Sequence, residues 1–163
     1  MGLSGLGIFH TIIGVAAIIA ALIAFIKYGK INLNTLSGKI YFYGTIITSF
    51  TSLGISKHGG FNPGHAFSIF IIFLVLGAYY LNLKREKSRR ARYFENFLLS
   101  FSFFLSLVPT VNETFTRIPV GHPLAKDIKD PVIGNTLLVL LLLFVAGSIY
   151  QFRKQKQFHK QQD

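Results

Sequence analysis

The sequence predicts an all-α integral membrane bundle of five transmembrane helices with its N-terminus outside and its C-terminus cytoplasmic. Three observations carry this. Five apolar stretches are each about long enough to cross a bilayer, Lys and Arg segregate when the intervening loops are counted alternately, and Tyr and Pro segregate with them. The spans are expected at about 3–26, 40–56, 63–83, 93–116 and 132–152, which makes residues 1–152 one transmembrane domain and 153–163 a basic cytoplasmic tail.

Composition agrees. Of 163 residues, 51% are hydrophobic and 14% charged, with 17 Phe and a positive mean hydropathy, unlike a soluble domain of this size. Five crossings of a roughly 30 Å hydrocarbon core take about 100 residues and leave only short loops. With no Cys, disulfides, thiolate metal sites and cysteine nucleophiles are excluded, so His, Asp, Glu, Ser and Thr must carry any chemistry. The net charge of +11 reads as topology rather than nucleic-acid binding, because most basic residues flank the spans. MGLSGLG lacks a basic n-region and further spans follow, which argues against a cleaved signal peptide.

The first span carries no charge from Leu3 to Ile26, and the second lies between Lys39 and Lys57. Asn62 and Pro63 open the third, Asn as a cap and Pro in the first turn, which puts His65 in that turn. Pro109 is expected to kink or end the fourth. The fifth begins at about Val132, after the longest loop, and runs to Phe152.

Thirteen basic residues fall in the loop from Lys27 to Lys39, in KREKSRRAR (Lys84 to Arg92) and in the tail. The other side holds Lys57, Arg117, Lys126 and Lys129. The positive-inside rule therefore puts the C-terminus in the cytoplasm of an inner-membrane, multi-pass protein, with the basic loop touching anionic lipid. All seven Tyr, Tyr41 among them, fall at the cytoplasmic ends as an aromatic belt. All five Pro and the Gly59-Gly60 pair fall toward the outer side, so the outer face is the irregular one.

That outer face also collects the ionisable groups. His10 lies about two turns inside the first span, His65 opens the third, and Glu113 with Arg117 closes the fourth at i,i+4 spacing; His58 and His122 sit in outer loops, with Asn112 beside Glu113. Intramembrane ionisable residues are costly, usually face the bundle interior and mark functional sites. On the fourth span Ser102, Ser106, Thr110, Glu113 and Arg117 share a face, expected to point inward. On the second Thr45, Thr48, Ser52 and Ser56 align. Gly14, Ala17, Ala21 and Ala24 let another helix approach the first closely.

Three readings of His10, His65 and Glu113 stand. Two imidazoles and a carboxylate form a ligand set for zinc or non-haem iron, with His122 or His58 as a further ligand and Arg117 holding an anionic substrate. Alternatively, His10 and His65 clamp one b-type haem, with Gly14 admitting the ring and Arg117 or Lys57 pairing with propionates. In the third reading the His residues bond across helices, Glu113 pairs with Arg117, and there is no cofactor. The transition-metal site is the leading specific expectation, with its reaction undefined. No P-loop, dinucleotide fingerprint or Ser-His-Asp order is present.

The runs GIFHTIIG, SGKIYFYGTIITSFTSL, HGGFNPGHAFSIF and PTVNETFTRIP resemble a family of uncharacterised bacterial multi-pass membrane proteins, domain of unknown function 2306. The likeness covers most of the chain and rests on His10, His65 and the E-x-x-x-R-x-P ending at Glu113, Arg117 and Pro119. Leu36, Ser37 and Gly38 stand where members often carry H-R-x-x-G. The resemblance implies that the outer-face residues act as a unit and implies no reaction.

Overall fold

The computed structural model describes residues 4–55, 60–84 and 88–160, and their regular structure is helical: α1 (Gly5–Tyr28), α2 (Leu36–Leu53), α3 (Pro63–Lys84), α4 (Arg89–Arg117) and α5 (Pro131–Lys160). Lys57, His58, Ser56, Gly59 and residues 85–87 of the basic loop lie outside the described residues. Four of the helices, α1, α3, α4 and α5, are long and apolar enough to cross a membrane. The chain divides into two compact units, Met1–Ser102 and Phe103–Asp163.

In the first unit, α2 packs against both α1 and α3. Its start is set by a tight turn. Thr35 caps it, accepting from the Gly38 N–H at 3.2 Å, and a Cβ at Gly38 would lie 1.9 Å from the Asn32 carbonyl oxygen, so only Gly lets the helix begin there. Before that turn Ser4 caps α1, and Gly29, at φ 70°, closes it in the left-handed conformation with its N–H on the Phe25 carbonyl.

The α1–α2 seam is built from small side chains. Ala17, Ala20, Ala21 and Ala24 are buried, a Cβ on Gly44 would meet the Ala17 Cβ at 2.9 Å, and one on Gly14 would meet the Thr48 methyl at 3.4 Å. Helices in lipid gain little from burying apolar area against each other, so close backbone approach and dispersion hold such a seam.

A different face of α2 meets the rest of the unit. Tyr41, Thr45 and Ser49 are buried at four-residue steps, and Ser52 continues their line. The stripe expected through Thr45, Thr48 and Ser52 is therefore split. Thr48 lies on the α1 side with Gly44, while Thr45 and Ser52 stay with Tyr41 and Ser49. Nor does Tyr41 belong to an aromatic belt. It is 1% exposed, and its hydroxyl lies 2.7 Å from that of Ser102 on α4, because its position on α2 faces the interior.

Helix α4 neither stops at Pro109 nor begins at Tyr93. It runs unbroken from Arg89 to Arg117. Proline withdraws the backbone donor for the Leu105 carbonyl there, and the Thr110 hydroxyl donates to the next carbonyl, that of Ser106, at 2.8 Å.

In the second unit, the C-terminal half of α4 and α5 meet through the stacked rings of Phe104 and Phe144, whose centroids are 5.4 Å apart. The connecting loop turns back on the end of α4, with the Leu124 and Ala125 N–H groups donating to the Ile118 and Phe115 carbonyls. Asp130 then opens α5 by accepting from the Lys126 and Val132 N–H groups, each at 3.1 Å. Helix α5 continues to Lys160, so most of the basic tail is helical; after Phe152 it contains neither Gly nor Pro to stop it.

Candidate functional site

The first unit has two polar ends. At one, α1 begins, α2 ends and α3 begins. His10 is half-buried there, its Nδ1 3.0 Å from the Thr51 hydroxyl across the α1–α2 seam. The Thr51 hydroxyl points its own proton at the Ile47 and Thr48 carbonyls, both at 3.0 Å, so it accepts from His10 Nδ1–H.

His65 is buried in the first turn of α3, where Asn62 acts as the cap expected of it. The Asn62 Oδ1 accepts the His65 backbone N–H at 3.2 Å. Both His65 ring nitrogens lie 3.3–3.4 Å from nitrogens of Asn62, and Phe61 meets the ring edge-on. The ring is thus held by its own helix start. One step further in, the Ser68 hydroxyl lies 2.6 Å from that of Ser52 on α2.

Glu113, Arg117, Asn112 and His122 belong to the second unit. Glu113 Oε2 pairs with Arg117 Nε at 2.6 Å, and both side chains are exposed, the Glu at 61%. The face expected to point inward thus runs from fully buried Ser102 to exposed Glu113 and Arg117. His122 is exposed in the loop, and the Asn112 Oδ1 is buried without a hydrogen-bond partner. Among the described residues no three His, Cys, Asp or Glu side chains gather as a metal-ligand group. Lys57 and His58 lie outside those residues.

At the opposite end of the first unit is a carboxyl that the reading of the sequence passed over. Glu95 is 3% exposed, and its Oε1 accepts from the Asn82 side-chain amide of α3 at 2.7 Å. The neighbouring Asn96 is also buried, and its Nδ2 has no partner. The signal was present in the sequence: an acid and an amide inside an apolar span, two residues after its expected start at Tyr93.

Between the two ends the interior mixes polar and apolar side chains, with Ile71, Val75 and Ala78 of α3 buried there. The buried residues of α4 within this unit are Ala91, Glu95, Asn96, Leu99, Ser100 and Ser102, and α2 buries Tyr41, Thr45 and Ser49, of which Tyr41 meets Ser102. Hydroxyl groups can both give and take a proton, and imidazole and carboxyl groups can store one. Comparison with family models, with curated proteins and with solved structures finds no match to this chain.

Proposed function

We propose that the chain is a five-span protein of the inner membrane, N-terminus outside and C-terminus cytoplasmic, that passes protons through the polar interior of its first unit. The observation that carries this reading is the contrast between the two faces of α2. Toward α1 the seam is mainly Gly and Ala, the inexpensive way to pack helices in lipid, with the Thr51–His10 contact at one end, while the neighbouring face of α2 buries Tyr41, Thr45 and Ser49. A bundle that had only to be stable would gain nothing from placing these hydroxyls, an imidazole and a carboxyl along one interior. His10 and His65 are the proton-storing groups at the outer end of this line.

Helix α2 is taken as the fifth crossing because of a third face. Leu36, Ile40, Tyr43, Ile47 and Phe50 recur at steps of four and three residues, and all are at least 40% exposed, a full-length apolar stripe suited to lipid. Its other faces are polar or small because neighbouring helices cover them. The alternating distribution of Lys and Arg supports the orientation and contact with anionic headgroups at the cytoplasmic face.

Purified protein in liposomes, with a pH-sensitive dye trapped inside and a potassium diffusion potential applied, tests the function. Inward-negative potential is expected to drive proton uptake well above the rate of protein-free vesicles. Uptake equal to theirs, from protein shown to be helical by circular dichroism, overturns the reading.

A further inference from the structure

We propose that the loop between α4 and α5 is a lipid-binding surface, its apolar side chains set among the phospholipids at the membrane face where α4 ends and α5 begins. This rests on the membrane-spanning part of the reading above and not on proton transfer. Ile118, Val120, Leu124 and Ile128 are all exposed, Val120 at 92%, and in the loop itself only Ala125 is buried. So many large apolar side chains on one short exposed segment mark a contact surface. Val132, in the first turn of α5, is exposed as well, so the surface continues from the loop onto a helix that is long and apolar enough to cross the bilayer.

The backbone and the charges of the loop identify lipid as what covers it. Backbone N–H groups carried toward lipid need partners within the protein. Pro119 and Pro123 have none to satisfy. Those of Ile118, His122, Leu124, Ala125 and Asp130 donate to carbonyls of the loop or of the last turn of α4, and those of Lys126 and Lys129 donate to the Asp130 and Asp127 carboxylates. The same contacts turn the acids of the loop onto its own backbone, while the side chains of Lys126 and Lys129 are exposed. A phospholipid matches both halves of this surface, with acyl chains for the apolar residues and phosphate for the lysines.

The chain contains no Trp, so a single introduced indole reports on one position. Val120→Trp and Leu124→Trp replace exposed side chains of the loop, and Leu142→Trp replaces an exposed one within the apolar run of α5. Each variant is reconstituted in phosphatidylcholine liposomes, with and without brominated acyl chains, and titrated with iodide present on both sides of the membrane. Both loop variants are expected to show blue-shifted emission that brominated lipid quenches and iodide leaves largely intact. Quenching by iodide and not by brominated lipid would place the loop in water, and quenching by neither would place it against protein, such as a second copy of the chain. Either result overturns the inference alone if Leu142→Trp responds to brominated lipid. A Leu142→Trp variant that does not respond shows that α5 lies outside the bilayer, which overturns the five-span reading together with the inference.

Discussion

The hydroxyls of Tyr41 and Ser102, sixty-one residues apart in sequence, lie 2.7 Å from each other and tie α2 to α4 inside the first unit. Ser102 also donates to the Leu99 carbonyl at 2.9 Å, so it is the acceptor of the Tyr41 proton. Removing the Tyr hydroxyl therefore leaves no buried donor stranded. Tyr41→Phe is expected to cost about 1 kcal/mol, the net worth of one such bond, and Ser102→Ala added to it should cost little more. Thermal unfolding of the single and double variants in one detergent checks this, and additive losses would mean that the two residues are not coupled. Tyr41→Phe should also slow proton uptake, which a purely structural bond would not do.

The small-residue seam makes a paired prediction. A Cβ at Gly44 would sit 2.9 Å from the Ala17 Cβ, whereas one at Gly14 makes ordinary contact with Thr48 at 3.4 Å. Gly44→Ala should destabilise the unit by roughly 1–3 kcal/mol, the usual cost of overpacking, while Gly14→Ala is tolerated or mildly stabilising through helix propensity. Equal effects at the two positions would show that the helices do not approach at Gly44.

The elements that were legible in the sequence are those governed by a single strong pattern. Uninterrupted apolar runs announce α1, α3 and α5, and the Gly and Ala positions of α1 announce its seam, because lipid permits few alternatives. The polar interior was less legible for a specific reason. Tyr41 lies near a basic loop and matched the belt pattern, and only its angular position on α2 distinguishes it from exposed Tyr43. Glu95 was masked in the same way by the arginines before it. For His10, His65 and Glu113, depth along a helix says nothing of azimuth, and the structure gives each a partner nearby: Thr51, Asn62 and Arg117.

Orientation is open to a direct test, since the chain contains no Cys of its own. Lys126→Cys lies on the exposed loop before α5 and Gln157→Cys near its far end. An impermeant thiol reagent applied to intact cells should label the first and spare the second until the membrane is opened. The reverse pattern would invert the topology, and labelling of both would mean that α5 does not cross.

Asp130 sets a pH dependence at the start of α5. The backbone N–H of Lys126, then that of Val132, holds its carboxyl below the ordinary value of 3.8, with the Lys126 charge adding to this against a small opposing effect of desolvation. A carboxyl whose folded value is depressed stabilises above its unfolded value and loses that contribution as pH falls through the folded one. Protection of the Val132 amide from hydrogen exchange should therefore be constant above about 4 and decline below it. In Asp130→Ala the protection should be low at every pH, and a pH-dependent decline persisting there would assign the effect to another group.

Metal content and the visible spectrum separate the proton-transfer reading from the metal and haem readings. Thr51 accepts from His10 Nδ1–H, an arrangement that fixes the ring and serves proton transfer and metal ligation equally. What a metal further requires is a third protein ligand at the same place, and the described residues do not gather one. On the proton-transfer reading, protein purified in mild detergent without chelators or a His tag carries no stoichiometric metal and no Soret band. Thr51→Val should lower thermal stability by about 1 kcal/mol and reduce proton uptake by letting the imidazole turn. About one zinc or iron per chain, lost in both His10→Ala and His65→Ala, would instead make this end of the unit a metal centre, and a Soret band lost in the same two variants would make it a haem site.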